Sequence, residues 1–155
     1  SDIVVKSFLG SPIKTEFAGP DLYRLKNRVD VSVRTNDGVL YYTMLPGFLT
    51  NMRSGSHCID AIIPKFTGNN SYNVALLCHD FAYTRSSDGE HYIRDRKLAD
   101  EILRQMCIIS GEIGKVKAAI MYRALRMFGG SAYESQNTGD YEGVERFMGF
   151  RWRDK

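Results

Sequence analysis

The sequence predicts an α+β fold in which a small N-terminal antiparallel sheet or hairpin is followed by a core of three helices. One change along the chain carries that expectation. Up to about residue 70, short apolar runs alternate with turn residues; beyond it, apolar residues recur every three or four positions. Length and composition supply the rest. A chain of 155 residues, 43% hydrophobic and 25% charged, suits a single domain, 1–155, with a core large enough to need no staples.

The first element is a hairpin. In "VDVSVRTNDGVLYYTM" the dipeptide Asp37-Gly38 separates two alternating runs, so Val29 to Arg34 and Val39 to Met44 are expected to pair. Residues 45–70 hold Pro46, Gly47, Gly55, Pro64 and Gly68 and read as a long loop closing the strand half, 1–70. Asn70 or Ser71 can cap a helix running to about Thr84, with Val74, Leu77, Cys78 and Phe81 on one side. "RSSDGEHY" breaks it. A second helix is expected over Ile93 to Ile109, on the stripe Leu98, Ile102, Met106 and Ile109. A third runs from Ile113 to Phe128 and ends at Gly129-Gly130, completing a helical core over 71–130. Residues 131–143 read as turns, and "VERFMGFRWRDK" as a short amphipathic end to the tail 131–155.

Several function classes are disfavoured at this level. The excess of 21 basic over 18 acidic residues is small and scattered, so specific nucleic-acid binding is not expected. No run reaches the roughly 18 apolar residues of a membrane span. "SDIVVKSF" lacks the layout of a signal peptide, so secretion is not expected. Cys58, Cys78 and Cys107 are odd in number and widely spaced, which suits free thiols better than a disulfide framework, although Cys58–Cys78 or Cys78–Cys107 bridges stay open.

"LLCHDFAYT" places a histidine and an aspartate side by side in an apolar run. On a helix His79 and Tyr83 share a face, and Asp80 leaves about 100° away. Asp100 lies one helix later. If the two helices pack antiparallel, its carboxylate can face His79, fix the tautomer and leave the other ring nitrogen as a base. Asp80, turned toward the 45–64 loop, could join Asp60 and loop carbonyls around a hard cation such as calcium, which would hold a developing oxyanion. A buried His–Asp pair can equally be structural, tying two helices together. A His-Asp pair also occurs in metal phosphohydrolases, but there His57 or His91 would have to complete the metal set, and neither falls on an expected helix.

Two resemblances attach to these residues. His79-Asp80-Phe81-Ala82-Tyr83, followed by Asp100 and Cys107, resembles the core of the small calcium-dependent secreted phospholipases, above all their bacterial and fungal branch. That resemblance implies two antiparallel helices, with His79 as general base, Asp100 as its partner, Tyr83 supporting the pair and Asp80 as a calcium ligand. A longer stretch, with "LPGFLT", "HDFAY", "RKLAD" and "AAIMYRALRMFGG", is similar to an uncharacterised domain family of bacteriophage genomes with HDxxY and RxxAD motifs. Here Thr50-Asn51 stands where that pattern has Thr-Asp, and the glycine-rich calcium loop of the phospholipases has no clean counterpart.

The functional expectation is therefore a phage-encoded, phospholipase-like protein acting on a lipid or ester by cation-assisted hydrolysis, in the host cytoplasm or the virion. The alternative is a catalytically inactive virion component or host-directed effector that binds a phage or host protein. Phe150, Arg151 and Trp152, aromatic residues mixed with arginine, are the expected partner-binding residues in that case. In the third helix Lys115, Lys117, Arg123 and Arg126 surround Val116, Ile120, Ala124 and Met127. They read as the solvated outer face of a core helix, or as a basic face toward a membrane or an acidic partner.

Overall fold

The computed structural model describes residues 2–20, 22–50, 71–85, 91–135 and 151–153. Its strands are β1 (Val5–Gly10), β2 (Thr15–Gly19), β3 (Leu22–Leu25), β4 (Val29–Thr35), β5 (Gly38–Met44), β6 (Leu49–Thr50) and β7 (Arg151–Arg153). Its helices are α1 (Ser71–Tyr83), α2 (Arg96–Ile109), α3 (Lys115–Phe128) and α4 (Gly130–Ser135). Among the described residues there are thus two antiparallel sheets, ordered β1-β4-β5-β7 and β2-β3-β6, and four helices. This corrects the expectation of one small sheet or hairpin followed by three helices.

The β4–β5 hairpin forms because its alternation is regular. Val29, Val31, Val33 and Thr35 are buried on one strand, and Gly38, Leu40, Tyr42 and Met44 on the other. With Thr35 paired to Gly38, the turn dipeptide is Asn36-Asp37, one residue earlier than expected. The Thr35 hydroxyl explains the shift, since it donates to the Gly38 carbonyl at 2.8 Å and accepts from the Asp37 N–H at 3.0 Å. Gly38 supplies a φ of 131°, which a side chain would strain. The Asn36 amide then accepts from the Val4 N–H at 2.8 Å and donates to the Asp2 carbonyl at 3.0 Å, fixing the entry to β1.

Three departures share one cause: long-range pairing that local patterns do not encode. β1 is recruited by β4, about 25 residues further along, while β2 and β3 form a hairpin of their own. β6 turns part of the expected 45–70 loop into a strand beside β3, and residues 51–70 lie outside the described residues. At the far end, β7 pairs with β5, so the backbone of Arg151 and Trp152 is an edge strand rather than an amphipathic tail.

The inner face of the first sheet packs on α1 and α2. Val29, Val31, Val33, Leu40 and Met44 meet Leu76, Leu77, Phe81, Ile102, Leu103 and Met106 in one cluster. Each such apolar side chain contributes roughly 1.5–3 kcal/mol on burial. The Gln105 amide fastens β1 to α2, accepting from the Val5 N–H at 2.6 Å and donating to the Ile3 carbonyl at 2.9 Å. α1 is buried on every side from Tyr72 to Tyr83, so the expected one-sided stripe understates it. α2 starts later than expected, at Arg96, because the Asp95 carboxylate accepts from the Leu98 N–H at 3.2 Å and caps it. In α3 the buried residues are Ala118, Met121 and Leu125. Val116, Ile120 and Met127, which the basic residues surround, are exposed. After Gly129 the chain re-enters a helix, α4, where turns were expected.

Candidate functional site

Three helices deliver the residues at the centre of the site. His79 and Tyr83 lie one turn apart on α1, Asp100 lies in the second turn of α2, and Arg126 is near the C-terminal end of α3. The C-terminal half of α1 therefore lies against the N-terminal half of α2, as antiparallel packing requires. His79 Nε2 is 2.8 Å from Asp100 Oδ1, and the Tyr83 hydroxyl donates to the same oxygen at 2.5 Å. Arg126 donates from Nη1 to the other oxygen, Oδ2, at 2.7 Å. Asp100 is 0% exposed and His79 4%.

Burial alone would push the Asp100 carboxyl up. Hydrogen bonds from His79, Tyr83 and Arg126, with the attraction of a charged imidazole, outweigh it and hold the group below its ordinary value. Asp100 is thus an ionised acceptor at neutral pH. Its acceptance from His79 places a proton on Nε2, so that in the neutral form of the imidazole the lone pair falls on Nδ1. Burial, followed by the charge of Asp100, raises the Tyr83 phenol far above its usual range, so Tyr83 is a permanent donor.

A second set of contacts sets the frame. Arg96, one turn before Asp100, stands 3.8 Å from Oδ2 and donates to the carbonyls of Leu125 at 2.9 Å and Arg126 at 3.4 Å. It thereby caps the end of α3 and complements that helix's dipole. From α4, the Tyr133 ring meets Tyr83 edge-on at 5.1 Å, while its hydroxyl donates to the Ile93 carbonyl at 2.6 Å. The His79 and Tyr83 rings are 4.2 Å apart and tilted.

His79, Asp100 and Tyr83 are thus brought together as the sequence suggested. Asp80 is buried beside His79 on α1. Asp60 and Phe150 lie outside the described residues, and Arg151 and Trp152 are placed only as backbone in β7. Among the described residues no three His, Cys, Asp or Glu side chains converge to hold a metal ion. Cys78 and Cys107 are free and buried. No described helix is long and apolar enough to cross a membrane.

Sequence reasoning gave Arg96, Arg126 and Gly129 no place in the site. The i, i+4 spacing of Arg96 and Asp100 was a usable signal for the first. The other two come from a third helix, and only its docking angle brings them in. Comparison with known proteins finds no family model, no curated protein and no solved structure that matches this chain.

Proposed function

We propose that His79 and Asp100 form the general-base dyad of an ester or lipid hydrolase. The observation that carries this reading is the anionic Asp100 on Nε2, which leaves Nδ1 as the proton acceptor. In the reaction, Nδ1 takes a proton from water as the water oxygen bonds to the ester carbonyl carbon. Collapse of the tetrahedral adduct breaks the bond to the alkoxide, which leaves with the proton returned by the imidazolium. Asp100 keeps its charge and steadies the imidazolium, and Tyr83 and Arg126 keep Asp100 oriented. Calcium, if Asp80 and Asp60 hold it, would polarise the carbonyl. A phage origin, with the host cytoplasm or virion as its place of action, accompanies this reading through the motifs quoted above.

A second reading is favoured by the burial of the pair. Asp100 has partners from all three long helices, and His79 is almost sealed, which suits a structural tie in an inactive protein-binding scaffold. The two separate on one experiment. Fatty-acid release from phospholipid vesicles and short-chain esters is measured with calcium for the unmodified chain, His79→Gln and Asp100→Asn. The hydrolase reading expects release that falls about 10²–10⁴-fold in His79→Gln while the fold persists. Release that is absent from the unmodified chain, or that survives His79→Gln, would overturn it and leave the scaffold.

A further inference from the structure

α3 has two apolar faces, and the fold uses one of them. Ala118, Met121 and Leu125 point into the core. On the opposite meridian Val116 is 74% exposed, Ile120 46% and Met127 73%. A core helix ordinarily turns its polar face outward, so an exposed apolar stripe here calls for a role other than the core that Ala118, Met121 and Leu125 join. Its spacing is specific. Val116, Ile120, Arg123 and Met127 follow intervals of four, three and four, the d-a-d-a sequence of a two-heptad coiled-coil seam. Lys117 flanks the seam at an e position, and Lys115 lies just before it, both exposed. The whole helix, KVKAAIMYRALRMF, carries no acidic residue.

We propose that this outer face of α3 docks an amphipathic helix of a partner protein, one with aliphatic a and d residues and carboxylates opposite Arg123 and Lys117. Charge and register together select this occupant. A second copy would set Arg123 and the flanking lysines against an equally basic, acid-free seam, and like charges in such register repel. A lipid surface needs no heptad register, and it would have to receive the Arg123 guanidinium at the middle of the apolar stripe. A partner helix with glutamate at the facing position neutralises that charge and fixes the register. A single polar residue in an otherwise apolar seam acts in this way.

The test uses the full chain and a synthetic three-heptad helix with leucine at a and d, glutamate at the d position facing Arg123, and glutamate at e and g. The acidic flanks keep the probe from pairing with itself. A control carries lysine at those glutamate positions. Fluorescence anisotropy should show the acidic probe binding about tenfold tighter than the control. Ile120→Gln should weaken the acidic probe about tenfold. Arg123→Glu should invert the preference, so that the lysine probe binds the better. Both positions are exposed, and unchanged circular dichroism verifies that the variants fold. Equal affinity for both probes, or no binding, overturns the proposal. So does partition onto phosphatidylglycerol vesicles that Ile120→Gln abolishes while neither probe binds, which would assign the stripe to lipid. Sedimentation showing a dimer that Ile120→Gln dissolves would assign it to a second copy.

Discussion

Gly129 has no Cβ, and three neighbours occupy the space one would need. A Cβ there would lie 2.6 Å from the Leu125 carbonyl oxygen, 3.0 Å from the Tyr83 hydroxyl and 3.2 Å from Arg96 Nη1. Its φ of −77° is open to any residue, so the demand is for room and not for backbone freedom. Gly129→Ala must therefore push α3 away from the side chains that frame Asp100. The expected loss is about 1–3 kcal/mol in urea unfolding; a variant as stable as the parent would mean that the close approach is not needed. Asp100 itself carries a pH signature. Its folded pKa is depressed, so its contribution is present above the ordinary carboxylate value and is lost as pH falls through the folded one. The gap in unfolding free energy between the unmodified chain and Asp100→Asn should be full above about pH 5 and should close below about pH 4. A gap constant from pH 7 to 3 would show that the carboxylate gains nothing from its charge.

At the scale of elements, α1 and α3 illustrate what periodicity can and cannot tell. α1 was legible in extent because Ser71 and the break at Arg85 bracket a continuous apolar run. Its burial on all sides was not, since a fully enclosed helix has no polar face to report orientation. In α3 two apolar stripes compete: Val116, Ile120 and Met127 are as apolar as Ala118, Met121 and Leu125, and local sequence cannot rank two such faces. The docking of Arg126 on Asp100 and of Arg96 on the Leu125 carbonyl decides between them. The consequence is measurable as a contrast within one helix. Met121→Ala should cost about 2–5 kcal/mol as a core truncation, and Met127→Ala should stay within about 0.5 kcal/mol. Comparable costs would show that Met127 packs as Met121 does. The dyad, by comparison, was legible, because His79, Tyr83 and Asp100 fall on two consecutive helices whose only compact arrangement is antiparallel.

For the molecule as a whole, the sheet and helices share one apolar cluster, and two thiols sit inside it on different helices. Cys78 on α1 and Cys107 on α2 are both sealed. Burial pushes the Cys78 thiol well up, and burial with the charge of Glu112 pushes Cys107 up to about 12. Alkylation proceeds through the thiolate, and an intact core offers neither the ionised form nor a path to it. In a Cys58→Ser background, each thiol should therefore react only when its helix opens. Because α1 and α2 meet at the Asp100 cluster and pack on the same face of the sheet, that opening should be global. Labelling at pH 8 is expected to be slow, to accelerate with urea along the unfolding curve, and to keep the two thiols in step. Cys107 reacting ahead of Cys78 at low urea would instead identify α2 and the helices behind it as a separately opening unit. In that event the Asp100 cluster would break before the sheet does, and His79 would lose its partner in a state that still looks folded by its strands.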